Sequence, residues 1–312
     1  MILALIKIFI FPGFLFLLIL ALAGEYLDRK LYARMQNRIG PPWFQPFADL
    51  VKLLAKELII PEQADRVIFK ILPLIACAAA ATAFLFIPIW KPDTLFNFSG
   101  DIVAVIYIMT IPTLAYFLGG WYSRSLYSLI GSMRVLTQLF SYEVPLLMAV
   151  LAPGVLASSW TFSAAINFYS ANGFLFLVNI IGFAVALTAV QGKLEKIPFD
   201  IPEAETEIVA GTFTEYTGPL YAYFKLAMNM QAIAAAGLLA AVFMPFGYNS
   251  GFFFGIIIYL IKIAFIIALL TVIRTIFARI RMDQMVNFCW KYLTPLALLQ
   301  IALNIIIKAL IQ

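Results

Sequence analysis

Six of the chain's sixteen acidic residues fall between Glu195 and Glu215, most of them in the run Lys196-Ile-Pro-Phe-Asp-Ile-Pro-Glu-Ala-Glu-Thr-Glu. Pro202 suits the first turn of a short helix reaching to about Val209. Glu203 and Glu205 then sit near its positive end and Asp200 just before it, which favours their ionised forms. Glu203 and Glu207 are four residues apart and share one face, with roughly 5–6 Å between β-carbons. Two carboxylates that close repel. If they are also shielded from water, one of them holds a proton near neutral pH, the property a proton relay needs. A solvated acidic loop paired with basic residues elsewhere is the plainer alternative.

Other ionisable groups interrupt apolar stretches. Glu143 stands beside Tyr142 and Pro145, with Arg134 and Gln138 before it on one helical row; Lys225 and Lys262 lie in later stretches. A lysine or acid at mid-bilayer costs about 2.5–3.5 kcal/mol, so each demands a partner or a water-filled cavity. A structural salt bridge from Glu143 to Lys225 or Lys262 is one solution; a functional polar path is the other.

The elements that must position these groups are transmembrane helices. The chain is 64% hydrophobic and 12% charged, against about 25% charged residues in soluble domains. Eight stretches approach the roughly 20 apolar residues a spanning helix needs: 2–24, 68–90, 102–121, 137–158, 173–191, 219–245, 252–273 and 292–311. An even count puts both termini on one side. Arginine and lysine collect in loops 25–67, 122–136, 192–218 and 274–291, whereas the alternate loops hold only Lys91. By the positive-inside rule the long loops are cytoplasmic and both termini lie outside. The fold expected is all-α, a single polytopic membrane domain over 1–312 in the cell membrane.

The first long loop opens on the helix breakers Gly40, Pro41, Pro42 and Pro46. A helix is then expected from about Phe47 to Glu57, because Phe47, Leu50, Val51, Leu54 and Leu58 recur on one face. Asp49, Lys52 and Lys56 fall on the other face. Too short to span, this helix should lie along the membrane surface, its apolar side down.

Composition also excludes chemistry. The chain has no histidine and two cysteines, Cys77 and Cys289. An iron–sulfur cluster usually needs about four cysteines, so this chain alone is expected to bind no cofactor or metal. The basic residues form no patch suited to nucleic acid.

Two motifs carry a resemblance. Arg38-Ile-Gly-Pro, Gln45-Pro-Phe-Ala-Asp49, Lys52, Lys56-Glu57 and Ile60-Pro-Glu-Gln-Ala-Asp65-Arg resemble the first signature of the respiratory complex I subunit 1 family, also called the H subunit. Pro198-Phe-Asp200, Glu203-x-Glu205-x-Glu207-x-Val-x-Gly211 and Glu215-Tyr-x-Gly218 resemble the second. The first loop is shorter than in quinone-reducing members and looks more like the archaeal membrane-bound hydrogenase and sulfur-reductase branch. The resemblance implies a membrane-anchor and energy-coupling subunit. Its partners would be cytoplasmic hydrogenase-like and iron–sulfur subunits, which hold the iron–sulfur clusters and a nickel–iron site, together with antiporter-like membrane subunits and lipid. It implies a relay of Glu143, Asp200, Glu203, Glu205, Glu207 and Glu215, to which Lys225 and Lys262 are added on their position within the spans. It implies a docking loop with Arg38, Gln45, Asp49, Lys52, Lys56, Glu57 and Asp65. Many quinone-reducing members have a glutamate where this chain has Met228, so its buried charges are arranged differently. A quinone-reducing subunit, with the loops forming the quinone chamber, is the alternative function.

Overall fold

The computed structural model describes residues 2–311, with side chains described for all of these except residues 2–4, 205, 206 and 311. Every regular element among the described residues is helical. In chain order the α-helices are α1 (Ile2–Phe9), α2 (Phe14–Met35), α3 (Gln45–Leu54), α4 (Arg66–Leu85), α5 (Asp101–Ile108), α6 (Thr110–Tyr122) and α7 (Leu126–Ala157). They continue with α8 (Phe162–Ala171), α9 (Ile180–Lys193), α10 (Glu205–Ile208), α11 (Gly218–Phe243), α12 (Phe252–Ile276), α13 (Met282–Phe288) and α14 (Thr294–Ile311).

Eight helical stretches among the described residues are long and apolar enough to cross a bilayer: Leu5–Met35, Arg66–Leu85, Asp101–Tyr122, Leu126–Ala157, Gly173–Lys193, Gly218–Phe243, Phe252–Ile276 and Met282–Leu310. The number matches the expectation, but two ends differ in ways that matter for the site. Hydropathy ends a span at its first charges, whereas helical hydrogen bonding continues. So α2 carries Glu25, Asp28, Arg29 and Lys30 on helical turns where a loop was expected. Likewise α7 begins at Leu126, eleven residues before the expected span, and is 32 residues long. That is about 48 Å of helix against roughly 30 Å of hydrocarbon, so its first turns stand in the loop layer.

The bundle is organised around α11, the most deeply buried span. Its run of small residues, Ala234, Ala235, Ala236, Gly237, Ala240 and Ala241, lets neighbouring backbones come close, which is how helices gain dispersion energy in lipid. A β-carbon on Gly237 would lie 2.9 Å from the Tyr259 hydroxyl. At the other extreme, α12 and α14 keep one face outward, with Phe253, Ile261, Ile306 and Leu310 exposed.

The surface helix forms as expected over Gln45–Leu54, with Phe47, Val51 and Leu54 exposed along one side. It starts two residues earlier because Pro46 can occupy its first turn, and it stops at Leu54, short of Glu57.

Two buried polar arrangements hold the half of the bundle opposite the acidic loop. On α14, the Gln300 amide donates to Val178 O (3.1 Å), and the Asn304 amide donates to Ala152 O (2.7 Å) and Asn179 Oδ1 (2.8 Å). On α12, Lys262 donates to Met244 O (2.6 Å) and to Phe246 O, with the Tyr248 ring 4.1 Å away. It therefore caps the C-terminal end of α11, where a cation is favoured. Lys262 was expected in the relay with Glu143. Instead it lies at the end of α11 remote from the acidic loop, about 39 Å away along a 26-residue helix.

Replacing Lys262 by Met leaves two part-buried carbonyls without their donor. Each such loss costs about 1–3 kcal/mol, so the thermal unfolding midpoint in detergent should fall well below that of the wild type. An unchanged midpoint would remove the capping role.

Candidate functional site

At the opposite end of the bundle, a cavity of about 340 Å³ opens among α2, α11, α12 and the loop that follows α9. Its lining holds five carboxylates (Glu25, Asp28, Glu195, Asp200, Glu203) and four cations (Arg29, Lys196, Lys225, Arg274) above an apolar floor that includes Met228, Ile233 and Ile267.

Asp28 is the hub. It is buried, and one oxygen accepts from Lys196 Nζ at 2.8 Å and Arg274 Nη1 at 3.2 Å, while the other accepts from the Thr271 hydroxyl at 2.7 Å. One aspartate thus ties α2 to α12 and to the acidic loop. Arg274 also stacks 4.3 Å over the Tyr32 ring. One turn earlier on α2, Glu25 pairs with Arg29, accepts from the Asn229 amide at 2.6 Å, and has Lys225 Nζ 4.0 Å away. Arg29 reaches on to Asp49 at 2.8 Å, and Gln45 donates to the same carboxylate at 2.9 Å. Those bonds hold Asp49 below the usual carboxylate range, the Arg29 hydrogen bond being the main cause. Asp49, expected in the docking loop, therefore fastens α3 to α2, and Gln45, expected there too, holds its carboxylate from the same helix. Asp65 caps α4, accepting from Val67 N and Ile68 N. Arg38, Lys52, Lys56 and Glu57 remain exposed on the surface.

The acidic loop departs from expectation. Helix is confined to the single turn of α10, and Val209 follows it at φ 63°. Pro202 precedes this turn, because its carbonyl packs against Gly211; a β-carbon at Gly211 would stand 1.8 Å from that oxygen. Glu203 and Glu207 consequently do not share a face. Glu203 lines the cavity. Glu207 lies outside it, 2.6 Å from Arg134 Nη1 and 3.6 Å from Arg279 Nη2. The Arg134 hydrogen bond, and then both arginine charges, hold the Glu207 carboxyl below its usual value. Through these pairs Glu207 ties the acidic loop to α7 and to the segment before α13. Glu215 is half-buried just ahead of α11, and the side chain of Glu205 lies outside the described residues.

The proton-holding environment belongs to Glu195. It is buried, and neither carboxyl oxygen accepts a hydrogen bond among the described residues. Burial, followed by the charges of Glu203 and Asp200, pushes its carboxyl well above the usual range.

Deeper in the bundle, Glu143 pairs with neither Lys225 nor Lys262. Its partner is Lys193 at 3.1 Å, a lysine buried at the last turn of α9 and 5.3 Å from the Tyr142 ring centre. Gln138, one row above, donates to Gly192 O at 2.7 Å. The sequence reading missed Glu25, Asp28, Lys193, Lys196 and Asn229 as site residues. The usable signal was Glu25 and Arg29 at an i,i+4 spacing directly after an apolar helix.

Two contacts seat the loops on the bundle. Tyr216 stacks on Phe69 with ring centroids 3.9 Å apart. Thr217 Oγ1 accepts from Ile59 N at 3.3 Å and so joins the third long loop to the first. Gly218, at φ +58°, lets the Glu57 carbonyl come closer than a β-carbon would permit.

A family described as NADH dehydrogenase matches residues 6–305. The H subunit of NADH-quinone oxidoreductase from Bacillus cereus (strain B4264) is 36% identical to this chain, over 97% of this chain and 95% of its own length. Its counterpart from Bacillus thuringiensis (strain Al Hakam) is equally similar over the same shares. Among solved structures, a chain of the membrane-bound sulfane sulfur reductase, an archaeal respiratory membrane complex, superposes with a TM-score of 0.84, at 24% identity over 96% of this chain and 98% of that one. With the eight helices and both loop signatures, these matches establish that the chain belongs to the NADH dehydrogenase family, as a homologue of the membrane-embedded H subunit of complex I-like oxidoreductases.

Proposed function

We propose that this subunit anchors a cytoplasmic ferredoxin-dependent hydrogenase or sulfur-reducing module and couples its turnover to proton- or sodium-translocating membrane subunits. The observation that carries this reading is the cavity lined by five carboxylates and four cations beneath the long loops. Charges held out of bulk water act on one another over longer range than in water, so a change at the loop surface reaches the bundle interior electrostatically. Electrons move in the partner subunits, which hold the iron–sulfur clusters and the nickel–iron site. This chain responds through the acids lining its cavity, and the Glu143–Lys193 pair passes the response deeper. In this reading the loops are cytoplasmic and both termini lie outside, as the arginine and lysine distribution favours. The exposed Arg38, Lys52, Lys56 and Glu57 face the docked module. The outward apolar faces meet lipid and antiporter-like subunits.

A second reading draws on the relatives' name, which makes them parts of an NADH-quinone oxidoreductase, and on the apolar floor of the cavity. In it the acceptor is a quinone bound under the first loop near Trp43 and Phe44. Assaying hydrogen evolution, sulfur reduction and quinone reduction side by side on the purified assembly separates the two readings. Turnover with a soluble quinone analogue, with an apparent affinity changed by substitution at Trp43, selects the second.

Glu143→Gln should abolish ion translocation while electron transfer stays within about two-fold of wild type, since a neutral amide still packs but carries no charge to relay. Translocation at the wild-type ratio would eliminate the coupling role of Glu143.

The Glu207 tether predicts a pH dependence. Its folded-state carboxyl lies below the ordinary 4.5, so the tether contributes fully above that value and fades as the pH falls through the folded-state value. Limited proteolysis within 203–211 should therefore be slow at neutral pH and accelerate only in acid. In Glu207→Gln it should be fast throughout. Equal cleavage of both proteins at neutral pH would show that the arginine pairs do not restrain the loop.

A further inference from the structure

Leu194 separates two charged side chains that are both withdrawn from water. Lys193 is 1% exposed and binds Glu143; Glu195 is 6% exposed and lines the cavity. Glu195 sits at φ +51°, a left-handed conformation that glycine or asparagine adopts far more readily than glutamate. Its buried carboxyl also lacks any hydrogen-bond partner among the described residues. Backbone strain and desolvation thus fall on one residue, and a glycine would relieve both. Such combinations concentrate at functional positions.

The surroundings narrow what Glu195 can bind. From its own loop it is faced by Asp200 and Glu203, with Lys193 and Lys196 flanking it in sequence. Glu25, Asp28 and Arg29 of α2, Lys225 of α11 and Arg274 of α12 share its cavity. Tyr116 of α6 and Tyr142 of α7 lie within reach of its charge. The cations are engaged elsewhere: Lys196 and Arg274 on Asp28, Arg29 on Glu25 and Asp49, and Lys225 beside Glu25. No group of three or more ligating side chains among the described residues is spaced for a metal ion. The cation left for Glu195 is a proton from cavity water.

We propose that Glu195 is the proton-loading carboxyl of this subunit, and that its charge state controls the Lys193–Glu143 ion pair on the far side of the Leu194 turn. Loading moves one proton from a hydronium in the cavity to a Glu195 carboxylate oxygen and leaves water. Release reverses that step. The ionised carboxylate then competes with Glu143 for the field of Lys193, and loading ends the competition. Tyr142 lies within range of both carboxylates and 5.3 Å from Lys193. The proposal rests on the coupling reading above and adds the residue at which a proton is held.

The test is infrared spectroscopy of the intact purified assembly across a pH titration, with deuterium exchange to identify protonated carboxyl bands. Wild type should show a protonated-carboxyl band at neutral pH that is absent from Glu195→Gln. Glu195→Gly, which suits the turn, should lack it too and guards against a misfolded first variant. Glu203→Gln removes one neighbouring charge and should lower the pH at which the band disappears by about one unit. In both Glu195 variants, ions moved per electron should fall well below the wild-type ratio, because no carboxyl remains there to load. A band that persists in both Glu195 variants, or a midpoint unmoved by Glu203→Gln, overturns the proposal. The band reports resting protonation whether or not ions are pumped. Failure of the coupling reading would appear separately, as normal translocation in Glu143→Gln with the Glu195 band intact.

Discussion

A charge taken out of water inside an apolar bundle must meet an opposite charge or give up its own. That constraint organises one end of this molecule. Asp28 satisfies it with a lysine from the acidic loop, an arginine and a hydroxyl from α12. Glu25 satisfies it with residues of α2 and α11. Removing one partner of a buried pair typically costs about 3–5 kcal/mol because the other charge is stranded. The contacts that seat the loops on the bundle are therefore the same contacts that set the electrical state of the cavity. A protein docking on the loops cannot displace one without altering the other.

Glu195 is the exception that gives this end its chemistry. Where the cavity acids of α2 are matched by cations, it faces the like charges of Glu203 and Asp200 on its own loop. The contrast with Glu207 is instructive, since the two lie in one loop twelve residues apart. Burial and neighbouring acids favour the protonated form of one; two arginines favour the ionised form of the other. Residue type and local sequence are similar, and environment assigns the roles.

Much of this was legible in the sequence, and the failures have physical causes. Eight spans, the surface helix of the first loop and the family signatures follow from hydropathy, apolar periodicity and motif spacing. Hydropathy cannot see a helix continue past its first charges, so Glu25 and Asp28 were assigned to a loop. Periodicity presumes a regular helix, so Glu203 and Glu207 were placed on one face, when the chain between Pro202 and Ala204 is not helical and brings the two residues to separate cavities. Depth along a span likewise does not reveal which end a long side chain reaches. Lys262 and Lys193 both interrupt apolar helices, yet one caps a helix terminus through backbone carbonyls and the other neutralises Glu143.

The length of α7 has a mechanical consequence. Arg134, gripping Glu207 in the loop layer, and Glu143, gripping Lys193 inside the bundle, are nine residues apart on one continuous helix, about 14 Å of rise. Two residues beyond Glu143 comes Pro145, whose missing N–H breaks the hydrogen-bond ladder and makes a natural hinge. Anything that shifts the Arg134 end of this arm therefore bears on the position of Glu143 beside Lys193. The loop contact and the buried pair are thus fixed to the same rod.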